Sequence, residues 1–275
     1  MKRKRQILEK KKEVEQIIRA VSSREKDHLD SFPHLRQYSA NGLSIYLTSG
    51  RGNKLSSQTK HYICNLLKAN MEGPYGSEWS IEEKNKHREM VSQEAHYMFV
   101  CDIATDNTNK EISCSETEFG PTCVNGRGPI VGFLHYRFIV EEGVPVLYVY
   151  ELQLEPRVQK KGLGVFLMQL IELIATKNQM GAVMLTVQKT NSSAMRFYTS
   201  KLGYTISTIS PSKVDPQLGL VKSYEILCKT FDSEAKAILQ ALLTFHLLMV
   251  FPCRRIAQHP TIHDPPPLQS IKGGG

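Results

Sequence analysis

The stretch Val146–Gly164, VLYVYELQLEPRVQKKGLG, limits the folds open to this chain more than any other. Its first nine residues read as a β-strand. Two glycines, Gly162 and Gly164, then stand where a strongly apolar helix begins, running from Leu163 to about Lys177. A strand that passes through a glycine turn into a helix N-terminus offers free backbone N–H groups and the positive end of the helix dipole. That setting suits a pyrophosphate. Glycine lets the backbone approach an anion with no Cβ in the way, and Lys160 and Lys161 add positive charge beside it. The loop is not a P-loop, because GxxxxGK[ST] occurs nowhere. It is also a poor dinucleotide fingerprint: Leu167 occupies the third glycine position, and no acidic residue closes the following strand.

The elements around this stretch alternate in order. Leu43–Thr48 reads as a short strand, Gln58–Met71 as a helix and Ile81–Glu94 as a charged helix. Three β-rich runs follow, Tyr97–Ile103, Ile130–Val140 and Val146–Leu154, with a long polar hairpin loop over residues 104–129 between the first two. Beyond the apolar helix, Ala182–Gln188 reads as a buried strand, Ser192–Leu202 as a helix, and Tyr204–Ile209 and Ser223–Cys228 as strands. This order predicts an α/β (α+β) fold: a mixed, mostly antiparallel sheet of about seven strands with helices on both faces.

The head and the tail differ from this middle. Residues 1–30 form a basic segment, with ten Lys or Arg against six Asp or Glu, and so carry half of the net +8. Within it Ile7, Leu8, Val14, Ile17, Ile18 and Val21 recur at helical spacing. The helix either lies along the domain or serves as a basic arm toward nuclear import, nucleosomal DNA or the ribosome. Residues 31–230 hold the main domain, and residues 231–275 form an extension. There Ala237–Phe251 is apolar but shorter than the roughly 20 residues that span a bilayer, and no membrane partner is expected. The six cysteines are scattered without a CxxC pair, which excludes a zinc ribbon and argues against a disulfide framework. No signal peptide is evident, and no metal is expected. Nucleus and cytoplasm are the expected location, and a monomer the expected state.

Two segments carry a family resemblance. Gln159-Lys160-Lys161-Gly162-Leu163-Gly164 resembles the Q/R-x-x-G-x-G/A loop of the GCN5-related N-acetyltransferases. Asn191-Ser192-Ser193-Ala194-Met195-Arg196-Phe197-Tyr198, with Leu202-Gly203-Tyr204, resembles the N-x-x-A-x-x-x-Y and GF/GY segment of the same family. Further stretches narrow the likeness: Tyr148–Glu155, Lys161–Gly164, Val183–Val187, Ser223–Leu227, Asn41–Leu43, Asn70-Met71 and Glu78-Trp79. They resemble the NatD branch, the N-terminal acetyltransferases specific for histone tails. The likeness spans roughly Phe32–Thr230 and excludes the 104–129 loop and the tail.

The resemblance implies roles. Acetyl-CoA would be the cosubstrate. Its pantetheine would lie along Leu152, Gln153 and Leu154, and its pyrophosphate in Gln159, Lys160, Lys161, Gly162, Leu163, Gly164 and Val165, with Asn191 near the CoA arm. Glu151, Tyr148 and Tyr198 would be catalytic: Glu151 as base, brought to the cleft by a local bulge, and Tyr198 as the acid for the departing thiolate. Tyr75, Trp79, Glu141, Tyr150, Thr186 and Tyr224 would meet the acceptor, the α-amine of histone four and histone 2A tails that begin Ser-Gly-Arg-Gly. Such an amine has a pKa of about 7.7–8.0 and so needs only modest base assistance. Ile139 departs from the pattern at a position where a second carboxylate for the acceptor arginine is expected, with Glu142 as an alternative to it. The segment before Trp79 is one residue short. The internal Ser49-Gly50-Arg51-Gly52 copies the start of such a tail, as chance loop composition or as a pseudosubstrate. Two other functions stand beside this one: a related enzyme for lysine or small amines, and a non-catalytic acyl-CoA-binding or chromatin-binding module.

Overall fold

The structure, a computed structural model, describes residues 2–22, 27–103 and 128–240. Nearly all of the 104–129 loop and the tail after residue 240 lie outside the described residues.

Eight strands form one sheet: β1 Gln37–Ala40, β2 Leu43–Arg51, β3 His96–Asp102, β4 Ile130–Glu141, β5 Val144–Leu154, β6 Ala182–Gln188, β7 Thr205–Ile206 and β8 Tyr224–Thr230. Their order is β1-β2-β3-β4-β5-β6-β8-β7. Among the described residues only β5 and β6 pair in parallel; the other pairs are antiparallel. The parallel pair is where the chain crosses over through the apolar helix. The sequence reading of about seven strands is short by β1, whose residues QYSA are mostly exposed and show no apolar alternation.

Helices cover both faces. On one lie α1 (Lys2–Val21) and α4 (Leu163–Lys177), and on the other α2 (Ser57–Tyr75) and α3 (Trp79–Met90). α4 buries Leu163, Leu167, Met168, Leu170, Ile171, Ile174 and Ala175 against the sheet. This one-sided apolar stripe is what the periodicity predicts. Its partners include Leu47, Met98, Leu134, Leu147 and Leu185. On the other face Ile63, Leu66 and Leu67 of α2 pack with Trp79 and Met90 over Tyr97, Phe99 and Phe133.

The head helix departs from its apolar pattern. Val14 and Val21 are buried, but Ile7 and Leu8 are exposed. Val21 and Leu29 belong to the main core, so the head packs into the domain rather than standing apart. Cys64 and Cys228 are free, and Cys101 is disulfide-bonded. Among the described residues no helix is long and apolar enough to cross a membrane.

Candidate active site

The central strands part company halfway. β5 and β6 pair only over Val146–Val149 and Ala182–Leu185. Beyond that point β5 runs on to Leu154 and β6 to Gln188, with no bond between them. The divergence starts beside an irregularity in β5. His135 faces Glu151 while Tyr136 faces Val149, so Tyr150 is an extra residue. Such a bulge bends its strand and re-aims the side chains around it. Tyr148, Tyr150 and Glu151 all line the resulting cleft, which holds about 950 Å³.

One arm of the cleft is made mostly of backbone. Gly162 caps α4 at φ +83°, with no side chain on the first-turn amides. Those N–H groups are therefore available to an anion. Lys160, Gly162, Gly164 and Val165 line this arm, and so do Gln159 and Asn191. The loop is fastened from outside: Tyr38 Oη and Asn41 Nδ2 donate to the Lys161 carbonyl at 2.6 and 3.0 Å. A Cβ on Gly162 would lie 2.8 Å from Tyr38 Oη, and one on Gly164 3.3 Å from Phe197. Further along, Gln159 Nε2 and Asn70 Nδ2 both donate to the Leu154 carbonyl, at 2.8 and 3.2 Å. Asn191 caps the short helix α5 (Ser192–Arg196) by accepting from the Ala194 N–H at 3.0 Å. The chain then continues through a π-turn, Phe197–Lys201, a deviation frequent at functional sites. The π-turn carries Tyr198 in the cleft wall, where burial and the Glu151 charge raise its pKa.

The other arm is made of side chains. Glu151 is 7% exposed, and both its oxygens are engaged: Oε1 by Lys86 Nζ at 2.7 Å and Oε2 by Gln153 Nε2 at 2.8 Å. Burial works against the Lys86 charge, but Glu151, Tyr75 and Glu89 outweigh it and hold its pKa well above the usual lysine value. Tyr148 and Thr186 share a 2.5 Å hydroxyl contact across the split. Burial raises the Tyr148 pKa further than the Thr186 bond lowers it. Arg137 lies 4.4 Å over the Tyr150 ring and donates to the Glu89 carbonyl at 2.8 Å. His135 stacks beneath Tyr150 and stays neutral, because burial and the charges of Arg137 and Lys86 push its pKa down. Tyr75 and Tyr224 line this arm, as do Ile139 and the buried Glu141. The α2–α3 turn reaches over to β6 and β8, with Thr190 Oγ1 donating to the Pro74 carbonyl at 2.6 Å and Ser223 Oγ to Glu78 at 3.0 Å.

The structure thus gathers most of the residues singled out from sequence around one cleft, with exceptions. Trp79 is buried in the core under the wall, 5.9 Å from Tyr75, and does not reach the cleft. Leu163 faces the core, and Lys161 contributes its carbonyl to the outer fastening, away from the cleft wall. Glu142 is exposed at the tip of the β4–β5 hairpin, φ +48°, and does not stand in for Ile139. Ser49–Arg51 belong to β2 and pair with Met98, Tyr97 and His96 of β3, so this stretch is built into the sheet and is no pseudosubstrate. Lys86 and Arg137 escaped the sequence reading. Nothing in the run EEKNKHRE marks one lysine as buried.

Residues 61–204, more than half of the chain, match the acetyltransferase (GNAT) family. The chain belongs to the GNAT acetyltransferases. Among solved structures, a PaiA N-acetyltransferase from Thermoplasma acidophilum in complex with coenzyme A is similar at 17% identity. That likeness has a TM-score of 0.44 and covers 69% of this chain and 100% of that one. NAA60 of Arabidopsis thaliana, in complex with a bisubstrate analogue, is similar at 9% identity, with a TM-score of 0.42 over 68% of this chain and 99% of that one. Acetyl-CoA is the cosubstrate of this GNAT enzyme, and the residues present fit it: an uncapped helix terminus, a Gly162 whose φ of +83° favours glycine, and a strand edge left unpaired.

Proposed function

We propose that this enzyme acetylates peptide N-termini, with the Ser-Gly-Arg-Gly tails of histone four and histone 2A as its acceptors. The observation that carries the reading is the buried carboxylate of Glu151 at the strand split, with Glu141 buried further along the same arm. A neutral α-amine needs one acceptor for its proton at the point of reaction, and the arginine two residues on needs an anionic partner. The arm supplies both.

Acetyl-CoA supplies the acetyl group as an activated thioester. The residues of the chain do the rest. A carboxylate offers about four lone-pair sites, so Glu151 can take the amine proton while it stays bonded to Lys86 and Gln153. Holding the amine next to the carbonyl makes the step effectively unimolecular. Amine nitrogen bonds to carbonyl carbon, the C–S bond breaks, and Tyr198 delivers a proton to the sulfur. Backbone N–H groups along the unpaired edge of Leu152–Leu154 polarise a carbonyl held there. Tyr148, Thr186 and Tyr224 enclose the first acceptor residue. Histone acceptors place the enzyme in nucleus and cytoplasm, where the basic head helix favours polyanions such as nucleosomal DNA or the ribosome.

The test is acetyl transfer to a Ser-Gly-Arg-Gly peptide, with an N-blocked, lysine-containing peptide as control. Transfer confined to the free N-terminus supports the reading. Equal transfer to the blocked peptide replaces it with a lysine acetyltransferase, and acetyl-CoA binding without turnover on either replaces it with a binding module.

A further inference from the structure

Lys86 has no place in the chemistry above, yet it makes the closest contact to the carboxylate that does. It sits in the middle of α3, with its side chain 15% exposed, and reaches the floor of the cleft. Its Nζ lies 2.7 Å from Glu151 Oε1 and 3.5 Å from Glu89 Oε2, so one ammonium joins α3 to the bulged strand. We infer that Lys86 is the positioning residue of the transfer step: it fixes the Glu151 carboxylate at the strand split and keeps it ionised for the incoming amine.

The surroundings of Glu151 leave this task to Lys86. From α2 it faces the Tyr75 phenol, and from β3 the Tyr97 phenol. From the π-turn comes the Tyr198 phenol. All three have pKa values raised by burial, so they stay neutral. On β4, His135 is neutral too, and Arg137 lies over Tyr150, donates to the Glu89 carbonyl and pairs with Glu94 at 4.0 Å. Glu89, 3.5 Å from the Lys86 ammonium, and Glu141 line the same cleft and bring no cation to it. Gln153 donates a neutral hydrogen bond. Lys86 is therefore the cation in hydrogen-bonding contact with the carboxylate. A buried carboxylate that loses its cation takes up a proton more readily, and a protonated Glu151 cannot accept one from the amine.

The inference rests on Glu151 as the base, and the test separates the two. Rates of acetyl transfer are measured from about pH 5 to 9 for wild type, Lys86→Met, Lys86→Arg, Glu151→Gln and the double variant Lys86→Met/Glu151→Gln. Methionine keeps the length and the apolar stem and removes the charge. Lys86→Met is expected to lower kcat about tenfold at pH 7, within the range that acid–base assistance contributes. It should also move the acidic limb of kcat/KM upward by about one pH unit or more. Lys86→Arg should restore the limb, acetyl-CoA affinity should hold within about twofold, and Lys86→Met should add nothing once Glu151→Gln is present. A second readout needs no acceptor: the ¹³C carboxyl signal of Glu151, identified by its loss in Glu151→Gln, should titrate at higher pH in Lys86→Met than in wild type. If that signal does not move in a variant that still binds acetyl-CoA, Lys86 is a structural tie only and the inference fails, whatever the acceptor. If the signal moves but Glu151→Gln leaves kcat intact, the positioning holds for the carboxylate and the base assignment is what fails.

Discussion

The cofactor arm of the cleft binds with backbone, whereas the acceptor arm binds with side chains. In the first, Gly162 and Gly164 keep the α4 amides bare, and Tyr38 and Asn41 hold the loop by its Lys161 carbonyl. In the second, Lys86 and Gln153 bond to Glu151 across α3 and β5, and Tyr148 bonds to Thr186 across β5 and β6. A backbone site tolerates many side chains but few changes of shape, because a Cβ or a shifted φ acts on the bound anion directly. A side-chain site keeps its shape while its selectivity drifts residue by residue. Ile139 is such a drift: it lines the arm where the family resemblance leads one to expect acid, and it packs against the Val144 and Val146 cluster without disturbing the sheet.

The largest effects should therefore come from the glycines. Gly162→Val puts a branched side chain at φ +83° and against Tyr38, and Gly164→Val drives into Phe197 and the cleft. Both should abolish acetyl-CoA binding in calorimetry while the far-ultraviolet circular dichroism stays native. Unchanged affinity in a folded Gly164→Val protein would remove the anion loop from the cofactor arm. Next comes Glu151→Gln, expected to lose about 10²-fold in kcat, the usual yield of base catalysis, with acetyl-CoA affinity kept. The acidic limb of its pH profile should keep the contribution of the acceptor amine and lose that of the carboxylate, since the amide cannot titrate there. An unchanged kcat would make Glu151 structural and shift attention to a water held by Tyr148 or Tyr224.

The same contrast explains what could be read from the sequence. α4 is legible to the residue, because a fifteen-residue, mostly apolar run at helical spacing lies between Gly162 and Asn178. The bulge at Tyr150 was foreseeable from the resemblance alone, since VLYVYELQL by itself reads as an unbroken strand. β1 was not legible: four largely exposed residues show no period, although Tyr38 among them secures the cofactor loop. Lys86 was hidden for a different reason. Burial of a lysine depends on what faces it across space, here a carboxylate 65 positions later in the chain, and no local pattern records that. Trp79 shows the reverse case. Its position in a matched segment pointed to the acceptor, yet its ring packs in the core beneath α2 and α3.

A smaller effect should sharpen the acceptor arm. Ile139 is apolar and Glu142 exposed and outside the cleft lining, so under the proposed function Glu141 is the carboxylate of this hairpin that would meet the acceptor arginine. Truncating one side of a buried charge pair costs about 2–5 kcal/mol, so Glu141→Ala should raise KM for Ser-Gly-Arg-Gly peptides about 30-fold, toward the lower end of that range. The same variant should change little for Ser-Gly-Ala-Gly. A double-mutant cycle between the two substitutions measures the coupling, and a value near zero would leave arginine preference to the shape of Tyr150 and its neighbours. Ile139→Asp should raise the coupling if that position faces the peptide.

The smallest effect is expected where the two arms meet, at Tyr198. Its ring is held edge-on between Phe197 and Tyr204, and burial and the nearby Glu151 charge raise its pKa. A raised pKa makes a weaker acid. The group it would protonate is a thiolate, whose conjugate acid has a pKa near 8.5, so the sulfur already leaves readily near neutral pH. Proton delivery then runs uphill and the gain is small. Tyr198→Phe should cost less than about 10-fold in kcat, below the usual range for acid catalysis, and leave KM for both substrates nearly unchanged because the ring remains. A solvent isotope effect on kcat should be the same in both proteins. If the phenylalanine variant instead loses several hundredfold, departure of the thiolate limits the reaction, and Tyr198 rather than Glu151 is the residue on which the two arms depend most.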